Sequence, residues 1–202
     1  MTMNKERRGI LLLREGQLSG EESRQEKERM LDHVFECYGL LSGNEKKRPL
    51  IGKGEKGKPY LPDYPMLDFN YTDCRYGSAL LLMEGSCGID MEGPRKISEA
   101  LIRRLPLDEQ EFLKEKPEEK REEKFLRLWT CKEAYVKMTG EGLSKEALAR
   151  SFAGVVRSIL GREEVALRLE EYDCSLYQKA LGGGLILTVC SRKEGAFDIE
   201  FW

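Results

Sequence analysis

The sequence predicts an α+β fold, and three observations carry that prediction. Apolar residues recur at helical spacing in residues 20–41, 97–105 and 125–138. Apolar and polar residues alternate with a period of two through much of 151–202. Glycine and proline punctuate the chain between these stretches. With 202 residues, 40% hydrophobic and 35% charged, the chain can bury a core either as one large domain or as two small halves sharing it.

Each element follows from its own residues. In 20–41, Met30, Leu31, Val34, Phe35 and Tyr38 share a helix face. Residues 51–59 are turn and loop by composition. Gly52, Gly54 and Gly57 there spell G-x-G-x-x-G, but Pro59 and Pro62 forbid the helix that a dinucleotide fingerprint requires, so that function is excluded. Residues 76–83, Tyr-Gly-Ser-Ala-Leu-Leu-Leu-Met, are a buried-strand candidate. A turn at 84–86 leads to a short second strand, 87–92, closed by Gly93 and Pro94. Ala100, Leu101 and Leu105 give 97–105 one helical face. Residues 114–124 mix both charge signs and read as solvated loop and helix start. The next helix carries Phe125, Leu126, Leu128 and Trp129 through Met138, and Gly140 and Gly142 stop it. Residues 165–169, 185–189 and 197–201 read as antiparallel strands.

Composition removes several function classes. A net charge of −2 excludes a generally basic nucleic-acid binder. No apolar run approaches the roughly 20 residues that cross a bilayer. Arg7 and Arg8 precede too few apolar residues for a secretory leader, so a cytoplasmic location is expected, with no membrane partner. Six cysteines without CxxC spacing suit reduced thiols rather than a disulfide framework. The one histidine, His33, lies in an amphipathic stretch and reads as structural, which disfavours histidine triads and multi-histidine metal centres. Chemistry must rest on carboxylates, lysines, hydroxyls or backbone amides.

Two patterns could supply it. In a strand, Asp90 and Glu92 point to one face while Ile89 and Met91 enter the core. Two neighbouring carboxylates repel unless a cation or shared proton relieves them, although an edge strand with a wet face explains the same residues. Glu133 and Lys137 are four apart on the long helix, which a surface ion pair also explains. Yet Glu133 sits amid Trp129, Ala134 and Val136. A third carboxylate reaching Asp90 and Glu92 would complete an oxygen-ligand site for Mg²⁺. Lys137, one turn on, could then meet a phosphate as a point charge.

These residues also carry a family resemblance. Cys87-Gly88-Ile89-Asp90-Met91-Glu92, with Leu128-Trp129-Thr130-Cys131-Lys132-Glu133-Ala134-Tyr135-Val136-Lys137 about forty residues later, resembles the 4'-phosphopantetheinyl transferase superfamily. Its signatures read G-[IV]-D-x-E and W-[ST]-x-K-E-[AS]-x-x-K. Gly57-Lys58-Pro59-Tyr60-Leu61 and Phe69-Asn70 resemble elements of the longer, surfactin-synthetase-activating type, which is monomeric and built of two halves.

The resemblance implies two similar α+β halves related by a pseudo-twofold, each a small antiparallel sheet packed with helices. They divide here into a shortened 1–86 and a motif-bearing 87–202. It implies that coenzyme A binds between them and that its phosphopantetheine arm passes to a serine of an apo acyl or peptidyl carrier protein, releasing 3',5'-ADP. Carried over residue by residue, Asp90, Glu92 and Glu133 hold Mg²⁺, and Glu133 accepts the serine proton. Lys137 binds the pyrophosphate and Lys58 reaches the coenzyme's phosphates, while for Lys132 the anchoring of a carboxylate stays open. The family's serine-histidine pair falls on Thr72 and Asp73. A carboxylate at 73 repels a 3'-phosphate, which leaves three outcomes open: weak affinity, tolerance of dephospho-coenzyme A, or compensation by Arg75. Arg24, Lys27 and Arg29 are candidate coenzyme contacts, against the plainer reading of a solvated helix face. The alternative function is a degenerate member that binds coenzyme A or metal without transfer. A nuclease is disfavoured, because the Glu/Lys pair is four apart on a helix and the charge is not basic.

Overall fold

The computed structural model describes residues 8–44, 47–193 and 197–202. Arg7, used above in the leader argument, lies outside the described residues. In chain order the elements are β1 (Gly9–Glu15), α1 (Gly20–Cys37), β2 (Gly52–Lys53), β3 (Pro59–Tyr60), β4 (Leu67–Cys74), β5 (Gly77–Glu84) and β6 (Cys87–Glu92). There follow α2 (Glu99–Ile102), α3 (Leu107–Lys114), α4 (Arg121–Thr139), α5 (Lys145–Leu148) and α6 (Ala153–Ile159). The last strands are β7 (Glu164–Leu169), β8 (Cys174–Ala180), β9 (Ile186–Ser191) and β10 (Phe197–Phe201). The class is α+β.

One sheet has the order β10-β1-β5-β4, the other β6-β9-β8-β7, and β2 and β3 form a two-residue ribbon. The second sheet is antiparallel throughout. In the first, β10 runs parallel to β1, from Gly9 opposite Phe197 to Leu13 opposite Phe201. This corrects the reading of 197–201 as an antiparallel strand. A period of two reports a half-buried strand but not its neighbour. Here Phe197 and Ile199 join Leu11 and Leu13 in one apolar cluster, so β10 returns to the first sheet.

β5 carries an unbroken apolar run, Ala79–Met83, because both its faces are covered. Leu80 and Leu82 meet Met30, Leu31, Val34 and Phe35 of α1. Ala79, Leu81 and Met83 meet Ile89, Met91, Leu187 and Val189 of the second sheet. α1 begins at a capping box, Ser19 with Glu22. His33 binds Glu200 at 3.0 Å and packs on Trp202, tying α1 to the chain's last strand, in keeping with a structural histidine.

α4 covers the other face of the second sheet. A buried polar chain fixes its register: Arg127 donates to Gln178, Gln178 to Thr188 and Thr188 to Thr130. Lys132 does anchor a carboxylate. It pairs with Glu109 of α3 at 3.0 Å with both side chains fully buried, and donates to the Leu148 and Arg150 carbonyls. Replacing Lys132 by Met strands that carboxylate and is expected to cost about 3–5 kcal/mol, read as a lower denaturant midpoint. Adding Glu109→Leu should recover most of the loss; a double variant as unstable as the single one argues against the pairing.

Candidate active site

The site is built on a strand edge that no other strand covers. β6 pairs with β9 on one side only, and its other edge faces β4 of the first sheet. Unpaired backbone groups there need partners, and side chains supply them. The Cys87 amide donates to Asp68 at 2.8 Å and the Ile89 amide to Asn70 at 3.2 Å. The Cys87 carbonyl accepts from Lys58 at 3.1 Å and the Ile89 carbonyl from Lys137 at 3.0 Å. Asp68, Asn70 and Thr72 alternate along β4, so one face of that strand is polar because it serves β6 and not water.

Gly88 brings α4 against this edge. A Cβ at residue 88 would lie well inside van der Waals contact of the Ala134 carbonyl and the Met138 amide. Strand and helix therefore touch backbone to backbone, which carries Glu133 and Lys137 of α4 to Asp90 of β6. Gly140, with φ +73°, closes α4 in the left-handed conformation that glycine tolerates.

Asp90 is 5% exposed. Its Oδ1 accepts from Lys137 at 2.7 Å and from the Thr72 hydroxyl at 3.2 Å, while Oδ2 is buried without a partner. Burial pushes the Asp90 carboxyl up and Lys137 holds it down. Burial likewise raises Glu92, against the pull of Arg95, whose Nε lies 3.6 Å from the Glu92 carboxylate. Glu133 responds most. Burial, then the charges of Asp90 and Glu92, push it from 4.5 to about 7, although Lys137 and Arg95 oppose them. Glu133 and Lys137 also line a cavity of about 260 Å³ with Lys56, Asn70 and Leu143.

Asp90, Glu92, Glu133, Lys137 and Thr72 are thus brought together. Among the described residues no three His, Cys, Asp or Glu side chains already stand around one point. The fit to a hard cation is one of donor chemistry: three carboxylates in mutual repulsion, one with an orphaned buried oxygen. Of the other two expected contacts, Asp73 stands apart from this group, whereas Lys58 lines the same cavity as Glu133 and Lys137 with its ammonium turned to other partners. Asp73 is exposed on the opposite face of β4, where the Ser23 hydroxyl of α1 donates to it at 3.4 Å. Lys58 donates to Asp68 and to two backbone carbonyls. On α1, Arg24 and Arg29 pair with Glu21 and Glu26, and Lys27 stands over the Tyr71 ring at 5.0 Å.

Asn70, Gly88 and Arg95 had no role assigned from sequence. Arg95 stands over the stacked rings of Phe125 and Trp129, 5.6 and 5.9 Å from their centroids. Its place three residues after Glu92 was the available signal, since a basic residue there can turn back on the carboxylate.

Residues 86–190, just over half of the chain, match the model of the 4'-phosphopantetheinyl transferase superfamily. The chain belongs to that superfamily. Relatives of the Sfp-like type agree. The 4'-phosphopantetheinyl transferase psf-1 of Bacillus pumilus is 28% identical over 145 residues, 70% of this chain and 60% of its own. The 4'-phosphopantetheinyl transferase ffp of Bacillus subtilis is 25% identical over 184 residues, 84% of this chain and 81% of its own. The 4'-phosphopantetheinyl transferase HetI of Nostoc sp. is 48% identical over 61 residues, 29% of this chain and 26% of its own. The matched stretches therefore span less than two thirds of psf-1 and of HetI. The superfamily match contains Asp90, Glu92, Glu133 and Lys137 and leaves out β1, α1, β4 and β5.

Proposed function

We propose that the chain transfers the 4'-phosphopantetheine arm of coenzyme A to a serine of an apo acyl or peptidyl carrier protein, releasing 3',5'-ADP. The observation that carries this is the meeting of Asp90, Glu92, Glu133 and Lys137, the last two on the wall of a cavity of about 260 Å³. In the metal-free protein Glu133 is pushed up to about 7, so its carboxyl can take up a proton near neutrality. The serine oxygen forms a bond to the pantetheine-side phosphorus, and the bond from that phosphorus to the departing 3',5'-ADP oxygen breaks. The serine proton passes to Glu133. Lys137 exchanges its longest contact, to the Thr72 hydroxyl at 3.3 Å, for the pyrophosphate and keeps Asp90 and the Ile89 carbonyl, while Thr72 still donates to Asp90 at 3.2 Å. Asp90, Glu92 and Glu133 would hold Mg²⁺, which when bound neutralises charge on the pyrophosphate. The exposed carboxylate of Asp73 offers a 3'-phosphate no attraction.

The test is intact mass of apo carrier proteins after incubation with this protein, Mg²⁺, and either coenzyme A or its 3'-dephospho form. The expected result is a gain of one phosphopantetheine arm with either donor, abolished by EDTA. A preference of more than about tenfold for the 3'-phosphorylated donor would remove the role given to Asp73. Binding of coenzyme A with no gain on any carrier would favour a member that binds without transfer.

A further inference from the structure

Lys58 stands where three elements meet and belongs to none of them. From the loop before β3, its ammonium donates to Asp68 on β4, to the Cys87 carbonyl on β6 at 3.1 Å, and to the Met138 carbonyl in the last turn of α4 at 2.9 Å. An ammonium has three protons, so all are taken. The side chain is 19% exposed. We infer that Lys58 is a positioning residue and not a phosphate ligand: it fixes β6 against the end of α4 and so sets how Asp90 meets Glu133 and Lys137. The inference rests on the transferase reading above and departs from the family resemblance at this one residue.

The geometry argues it in two steps. Cys87 is three residues before Asp90 on β6, and Met138 directly follows Lys137 on α4. Holding those two carbonyls on one nitrogen therefore clamps the strand and helix that bear the site, just where Gly88 lets their backbones touch. Lys137 makes a matching clamp one step along, on the Ile89 carbonyl and Asp90. The two ammoniums together take the alternate outward carbonyls of β6, residues 87 and 89.

The second step is what departure of each lysine would leave behind. Lys137 can give up its longest contact, Thr72 at 3.3 Å, without leaving Asp90, because Thr72 still donates to Asp90. Among the described residues Asp68, the charged partner of Lys58, has no side-chain donor of that kind beside it. Its side chain is 13% exposed, burial pushes its carboxyl up, and Lys58 is the chief group holding it down. Without Lys58, Asp68 keeps only backbone amides, those of Cys87 and Phe69. A buried carboxylate left without its cation is strongly unfavourable, so Lys58 stays with Asp68 when an anion binds nearby. Lys56, exposed on the wall of the same cavity, can approach that anion.

The test compares Lys58→Met with the double variant Lys58→Met/Asp68→Leu, which removes the charge pair together. Three quantities are measured: Tm, coenzyme A affinity by calorimetry in EDTA, and Mn²⁺ affinity with coenzyme A present. The single variant should melt roughly 6–12 °C lower. The double variant should recover most of that loss and hold coenzyme A within about twofold, yet bind Mn²⁺ about tenfold more weakly, as loss of a group supporting metal ligands does. A loss of coenzyme A affinity of about tenfold or more in the restabilised double variant makes Lys58 a ligand and overturns the inference. Unchanged Mn²⁺ affinity in that variant makes the clamp purely structural and also overturns it. If the unaltered protein binds neither probe, the transferase reading itself fails, a result separable from both.

Discussion

On the transferase reading proposed above, replacing Glu133 by Gln is expected to lower carrier modification by about a thousandfold while leaving the fold intact and slightly stabilised. The first effect follows from removing the proposed proton acceptor, a role worth about 10²–10⁴ in rate. The second follows from its surroundings. Glu133 is pushed from 4.5 to about 7, mainly by burial and then by Asp90 and Glu92. The folded state therefore holds a proton that the unfolded chain releases at lower pH. Stability is full below the ordinary carboxylate value, falls as pH rises from 4.5 towards about 7, and is flat for this group above that. The whole shift would correspond to about 3 kcal/mol. Solvent reaches part of the side chain, so roughly 1 kcal/mol is expected, or about 2–4 °C in Tm. Asp90 and Glu92 are raised too and keep some pH dependence of the same sign. Melting the metal-free protein at pH 5 and pH 8 checks this. Wild type should lose more on going to pH 8 than Glu133→Gln does, and equal losses would sink the assignment.

Gly88→Ala is expected to be strongly damaging for a single methyl. The added carbon would overlap the Ala134 carbonyl and the Met138 amide, and backbone of a helix cannot rotate aside as a side chain can. Forcing β6 away from α4 should cost roughly 3 kcal/mol, the upper end for overpacking a core. It should also separate Asp90 from Lys137, now 2.7 Å apart, so activity falls even where the variant is folded. Equilibrium urea unfolding with transfer assayed below the transition measures both. An unchanged midpoint would mean that strand and helix do not make this contact in solution.

Much of the fold was readable because its signals are local. The spacing of Met30, Val34 and Phe35 marked α1, the apolar run of β5 marked a strand covered on both faces, and Gly140 marked the end of α4. Other elements were missed for identifiable reasons. β1 rests on the apolar run Ile10–Leu13, only four residues long and without the alternation that marks a half-buried strand. α3 is hidden in a charged stretch, because Glu109 there is buried against Lys132 and not solvated. The helix expected over 97–105 shrinks to Glu99–Ile102. β4 alternates correctly, with Leu67, Phe69 and Tyr71 towards α1, yet its polar face is not a wet one.

What the sequence alone determined is the candidate set of charged groups. Asp90 and Glu92 share a strand face, Glu133 and Lys137 share a helix face, and both pairs follow from periods of two and four along the chain. Tertiary structure alone decided what those groups touch. Lys58 meets partners 10, 29 and 80 residues away, and Thr72 reaches Asp90 while its neighbour Asp73 points to the other side of the sheet. The reason is physical. The period of a strand or helix is set by backbone geometry within a few residues, so sequence displays it. The partners of an open strand edge are whichever donors and acceptors the packed fold brings there, and β6 took its own from β4, α4 and a loop.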